Sequence, residues 1–135
     1  MDKPVLLTGT VEHGKALGRT VGMPTANLSV DRECALPEAG VYATVSEIEG
    51  RRWPSVTNIG VRPSVDDSPV WTVESHLIGF SGDLYGQRMT LTVLQIIRSQ
   101  MRFSSLEAVK KQVEADVITA MKIYKEKTGA KHWEG

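Results

Sequence analysis

Between residues 40 and 98 the chain is a series of β-forming runs cut by Gly, Pro, Asn and Asp, and after residue 104 the pattern changes period once. The run GVYATVSEI at 40–48 is followed by Glu49-Gly50 and a second run at 53–59, which predicts a hairpin. Residues 70–78 (VWTVESHLI) and 88–98 (RMTLTVLQIIR) predict two more strands, the second with Met89, Leu91, Val93 and Gln95 on one face. A further strand is predicted at 4–12 and a turn at 81–87 (SGDLYGQ). Residues 14–37 form a glycine-interrupted stretch with little periodicity. Residues 58–68, with Gly60, Pro63 and an Asp-Asp-Ser group, read as a loop.

Ser104-Ser105-Leu106-Glu107 then has the form of a capping box, in which the Ser104 hydroxyl accepts from the Glu107 amide. From there Leu106, Val109, Val113, Val117, Ala120, Met121 and Tyr124 recur at steps of three and four, with Lys110, Lys111, Glu114 and Lys122 on the other side. That spacing predicts an amphipathic helix, with Gly129 as its stop. Antiparallel strands followed by one long helix predict a mainly β fold: a small barrel with the helix packed on it.

A chain of 135 residues fits one domain, taken as 1–135. Lys plus Arg and Asp plus Glu both number 16, so the net charge is zero, which argues against a partner held by phosphate-backbone electrostatics such as duplex DNA. Cys34 is the single cysteine, so neither an intrachain disulfide nor a cysteine-rich zinc site is available. It reads as a partly buried structural thiol. No apolar run reaches membrane-spanning length and MDKPVLLTG lacks a signal-peptide pattern, so the expected location is cytoplasmic.

Two polar motifs stand out. GTVEHGKA at 9–16 nearly matches the phosphate-binding loop G-x-x-x-x-G-K-[ST], but Ala16 replaces the hydroxyl residue. A P-loop must also open a helix, and Gly18, Gly22 and Pro24 oppose one. A strand end with an exposed Lys15 is the simpler reading. In GMPTANL at 22–28, Pro24 biases Met23 toward extended backbone. On such a backbone Thr25 and Asn27 point the same way and offer two hard, neutral oxygens suited to magnesium already bridged by phosphates. The alternative is a polar turn with local hydrogen bonds. His13 adjoins the glycine-rich stretch, His76 follows Glu74 on one strand face, and His132 lies in the tail. Trp53 and Trp71 read as strand aromatics, a class that is usually core.

The ordered series GTVEHGKALGRTVGMPTANL, LPEAGVYA, NIGVRPSV, VESHLIGFSGDLYG and IIRSQMRFSSLE resembles riboflavin kinase over roughly residues 6–124. PTAN together with V-E-x-H and D-L-Y-G is the specific part. The resemblance is to the kinase found in eukaryotes and in the C-terminal half of bacterial bifunctional FAD synthetases. It implies a closed Greek-key antiparallel barrel of about six strands with a C-terminal helix. It also implies ATP-dependent phosphorylation of the riboflavin 5′-hydroxyl, giving FMN and ADP, with Mg²⁺.

By the same resemblance Glu74 is the catalytic base, and Thr25 and Asn27 bind metal and nucleotide. Gly14, Lys15, Gly18, Arg19, Gly22 and Pro24 belong to or approach a flap over the phosphates, and Arg98 lies in a second flap near the flavin. The flat flavin ring is expected near Phe103 and Leu106, where the helix starts. The expected partners are riboflavin and ATP alone, with no nucleic acid or membrane, in a monomer. The adenylyltransferase half has no counterpart here, so FAD synthesis is not expected. Ser64, Gly79, Gln100 and Arg102 depart from the family pattern at R-P-T, before Phe80 and in the second flap. A flavin- or nucleotide-binding module without turnover is the nearest alternative. A barrel for single-stranded nucleic acid is disfavoured by the neutral charge and modest aromatic content.

Overall fold

Among the described residues, six strands and one helix account for the regular structure: β1 (Val5–Glu12), β2 (Thr25–Val30), β3 (Gly40–Ile48), β4 (Arg51–Pro63), β5 (Pro69–Leu77), β6 (Arg88–Arg98) and α1 (Leu106–Thr128). The computed structural model describes residues 5–12, 25–31, 34–63, 69–80 and 83–129. The strands close into a barrel in the order β1-β2-β5-β4-β3-β6, with every neighbouring pair antiparallel. Strands β3, β4 and β5 follow one another as neighbours and β2 returns beside β5, which is a Greek key. Closure leaves no open sheet edge. No described helix is long and apolar enough to cross a membrane.

Alternation along the strands creates two separate cores. Leu7, Val11, Leu28, Ile59, Leu77 and Leu91 point into the barrel. Val41, Ala43 and Val56 point outward and are covered by Ala120 and Ile123 of α1. Each Val, Leu or Ile among them stabilises the fold by roughly 1.5–3 kcal/mol when fully buried. Trp53 joins the inner core, edge-on to Phe80 with ring centroids 5.0 Å apart, whereas Trp71 is 43% exposed. Cys34 is partly buried, and its Sγ accepts from the Thr8 amide at 3.5 Å.

The inner core is not wholly apolar. Thr44, Ser46, Ser55, Thr57 and Ser75 are buried inside the barrel. Thr44 Oγ1 lies 2.6 Å from Ser55 Oγ and 2.7 Å from Thr57 Oγ1. Ser46 Oγ lies 2.8 Å from Ser55 Oγ and 3.1 Å from Ser75 Oγ, and Thr57 donates to Ser75 at 3.2 Å. The chain of hydroxyls thus ties β3, β4 and β5 together from within. Each of these buried hydroxyls has at least one hydrogen-bond partner.

Several expectations are corrected. The stretch 14–37 contains a strand, β2, so PTAN runs into extended backbone and the polar-turn alternative fails for 25–30. Residues 58–63 are not a loop: β4 continues to Pro63 because β5 pairs with it as far as Pro63↔Pro69. Gln95 leaves the face shared by Met89, Leu91 and Val93, because a register shift between Ala43 and Thr44 on β3 inserts an extra residue in β6. The helix cap is Ser105, not Ser104. Its backbone is extended, at φ −156 and ψ 161, and its hydroxyl accepts from the Ala108 amide. Leu106 is 58% exposed, since the first fully buried residue of α1 is Asp116, well beyond the helix start. Gly129 ends the helix as expected.

Replacing Thr44 by Val keeps the shape but removes one partner from each of the Ser55 and Thr57 hydroxyls. Thr44→Val is expected to lower the unfolding free energy by about 2 kcal/mol, measured by urea denaturation. An unchanged urea midpoint would show that the hydroxyl chain does not support the barrel.

Candidate active site

Ser75 points into the barrel, so its neighbours Glu74 and His76 point out. Register then decides what stands beside them. Glu74 is paired with Asn27 of β2 on one side and with Asn58 of β4 on the other. Asn27 is opposite Glu12, Asn58 is opposite Val41, and Val41 is opposite Arg98. Glu12, Asn27, Glu74, Asn58, Val41 and Arg98 therefore form one row across the outer surface, contributed by all six strands. Directly opposed side chains have Cβ atoms about 4.5–5.5 Å apart. The row thus brings together two predicted residues, Glu74 and Asn27, that are far apart in sequence. Thr25 pairs through its backbone with His76, and its side chain lies outside the described residues. Gly14, Lys15, Gly18, Arg19, Gly22 and Pro24 also lie outside them, as do His13, Ser64 and His132.

At the Arg98 end the row meets α1. The Arg98 Nη2 donates to Asp116 Oδ2 at 2.9 Å and Nε donates to Oδ1 at 3.1 Å. Its Nη1 donates to the Ser99 carbonyl at 3.2 Å, and the guanidinium sits over the Phe103 ring, 5.7 Å from its centroid. Gln112 supplies a second donor to Asp116 Oδ1 at 3.0 Å. Asp116 is almost fully buried, and these donors hold its charge there. A groove of about 390 Å³ opens between the sheet and the segment after β6, lined by Val41, Asn58, Arg98, Gln100, Met101 and Phe103. Leu106 does not line it, and Arg98 faces the helix with all three guanidinium nitrogens engaged.

Three residues of this region escaped the sequence reading. Asn58 fell in the segment read as a loop. Glu12 closed a strand but was given no partner. Asp116 carried a detectable signal, because it lies on the apolar stripe of the helix, three residues after Val113 and four before Ala120. A carboxylate at such a position needs a buried cation. Gly79, a departure from the family pattern, has φ 84 and ends the turn after β5, a backbone that favours glycine. Its identity therefore has a local structural reason.

A model of the riboflavin kinase (flavokinase) family matches residues 1–124. The bifunctional riboflavin kinase/FMN adenylyltransferase of Pseudomonas fluorescens is 43% identical over 120 residues, covering 89% of this chain and 38% of the relative. The RNA-binding riboflavin kinase RibR of Bacillus subtilis is 38% identical over 112 residues, covering 83% of this chain and 48% of the relative. The crystal structure of riboflavin kinase from Trypanosoma brucei superposes with a TM-score of 0.65 at 28% identity, covering 97% of this chain and 85% of that one. The chain thus spans less than half the length of the two curated relatives.

His76 gives this region a pH signature. Burial pushes its pKa below the ordinary 6.5, while the Asp116 carboxylate pulls the other way. The unfolded chain therefore takes up this proton at a higher pH than the folded one. The contribution to stability is complete above about pH 6.5 and is lost as pH falls from there through the folded pKa. Unfolding free energy should fall between about pH 7 and pH 5, and His76→Gln should flatten that slope. Equal slopes in urea titrations of both proteins would show that His76 is not the group responsible.

Proposed function

The chain belongs to the riboflavin kinase family, and we propose that it transfers the terminal phosphoryl group of ATP to the 5′-hydroxyl of riboflavin, giving FMN and ADP. The observation that carries this reading is the cross-strand pairing of Asn27 with Glu74, which joins the PTAN and V-E-x-H motifs on one outward surface. Glu74 orients the flavin hydroxyl and accepts its proton as the oxygen–phosphorus bond forms. A carboxylate is a weak base toward an alcohol. Early deprotonation is not needed in a loose phosphoryl-transfer transition state.

The donor set near Asn27 fits magnesium. Its amide oxygen is a hard ligand on the outer face, and Thr25 of the same strand carries the second. Among the described residues no group of three His, Cys, Asp or Glu side chains forms a metal cage, so phosphate oxygens would complete the coordination. When bound, Mg²⁺ offsets charge on the transferring phosphoryl group. Gly14, Lys15, Gly18, Arg19, Gly22 and Pro24 contribute to nucleotide binding in this reading. The flavin ring takes the groove beside Phe103 and Arg98, and Leu106, expected near it from the sequence, stands outside the lining. Riboflavin and ATP are the partners in this reading. It involves no nucleic acid or membrane, and the enzyme is a cytoplasmic monomer.

Incubation with riboflavin, ATP and magnesium should produce FMN, resolved by chromatography. Glu74→Gln should slow it by about 10²–10⁴-fold. Flavin binding without FMN formation would instead indicate a binding module that does not turn over.

A further inference from the structure

The groove beside Phe103 has one wall that is neither helix nor strand. Residues 99–103 carry no regular structure, and among the described residues no backbone–backbone hydrogen bond ties them to a strand. Side chains hold this wall instead. Arg98 reaches the Ser99 carbonyl and the Phe103 ring, which fastens the wall to its own start and, through Asp116, to α1. Among the described residues, the one side chain of 99–103 that hydrogen-bonds to the sheet is that of Gln100. Its Nε2 donates to Asn58 Oδ1 at 2.7 Å and to the Ile59 carbonyl at 3.3 Å, both on β4. The amide is seated over Gly60, where an added Cβ would stand 2.8 Å from Nε2. Asn58, Gln100, Met101 and Phe103 all line the groove, so this contact joins its floor to its wall.

We propose that Gln100 is a positioning residue for flavin binding: its amide, seated over Gly60, latches the wall onto β4 and keeps the groove formed before a ligand arrives. Such a wall has two arrangements, docked on β4 or swung off it, and only the docked one completes the slot that a flat ring needs. A binding-competent state populated a tenth of the time weakens apparent affinity about tenfold. Holding the wall docked therefore raises affinity without adding a contact to the ligand. The Ile59 carbonyl can only accept, so the latch needs a donor at position 100. Glutamine supplies one. Glutamate, the residue expected from the family pattern, has none when ionised. The latch thus belongs to this chain's departure from the pattern and not to the shared reaction. It bears on how the flavin site is prepared, and phosphoryl transfer does not depend on it. The inference rests on the flavin occupying this groove.

Two variants open the latch by different routes. Gln100→Ala deletes the amide. Gly60→Ala keeps it but fills its seat, at a backbone position that does not require glycine. In the ligand-free protein each should speed hydrogen exchange of the backbone amides of residues 99–103 about tenfold and leave β6 unchanged. Without nucleotide, each should weaken riboflavin about tenfold in a fluorescence-quenching titration. The double variant should be no weaker than either alone, because both remove the same contact. If Gln100→Ala weakens riboflavin but leaves exchange at 99–103 as in the wild type, Gln100 acts by touching the flavin and the proposal is overturned. It is overturned equally if Gly60→Ala binds riboflavin as tightly as the wild type, or if the two effects add. A wild-type protein that binds no riboflavin would overturn both this inference and the flavin groove. One that binds riboflavin through the latch but forms no FMN would leave the inference standing and sink the kinase reading.

Discussion

Five hydroxyls inside the barrel hold β3, β4 and β5 in a common phase, and that phase is what turns Glu74 outward. Thr44, Ser46, Ser55, Thr57 and Ser75 bond to one another at 2.6–3.2 Å with their side chains out of contact with solvent. Side chains alternate with period two, so a slip of one residue in β5 would bury Glu74 and His76 and expel Ser75. An unpaired carboxylate in that interior costs far more than the slip could recover. Apolar packing alone would tolerate alternative registers better than this, because methyl groups have no directional partners. The hydroxyl chain makes the register of β5 against β4 specific, and Glu74 stands opposite Asn58 as a consequence.

The outer surface is divided by the helix. Helix α1 covers the outer faces of β3, β4 and β6 through Ala120, Ile123 and Val117, and leaves the row on β2 and β5 outside its apolar contact. The Arg98–Asp116 pair lies at this seam. Replacing a buried ion pair by well-packed apolar side chains is often neutral or stabilising, so its benefit is directional more than energetic. Its bidentate geometry fixes where the chain leaves β6, and so where Gln100 and Phe103 begin. The same carboxylate also acts on His76, which burial keeps toward the neutral form. One buried acid thus connects the helix, the segment after β6 and the strand that carries Glu74.

Much of the architecture was legible because it is local. The β3–β4 hairpin follows from GVYATVSEI, Glu49-Gly50 and a return run, and the helix follows from its three-and-four spacing. Strand β2 was missed because its extended shape depends on β1 and β5, distant in sequence, while Gly22 and Pro24 nearby suggest irregular chain. Gly60 suggested a loop in the middle of β4, but its missing side chain makes room for Gln100. Ser104 and Ser105 are chemically equal cap candidates, and only the extended backbone at Ser105 distinguishes them. The phase change that removes Gln95 from its predicted face comes from the partner strand, so β6 alone carries no trace of it. At the site, PTAN and V-E-x-H were legible as motifs. Their adjacency was not, because it arises from β2 pairing with β5 on closing the barrel.

Arg98 shows how a correct location can differ from the contact first imagined. Its guanidinium donates to Asp116 through Nε and Nη2 and to the Ser99 carbonyl through Nη1. Drawing the whole guanidinium away from the helix would leave Gln112 as the remaining donor to Asp116 among the described residues. The loss of one partner from such a pair costs about 3–5 kcal/mol, more than an additional charged hydrogen bond of about 1.5–3 kcal/mol returns. In this conformation Arg98 therefore acts on the groove by fixing its wall. It pins Ser99, lies over Phe103 and ties both to α1, so that Arg98 and Phe103 form one wall of the groove.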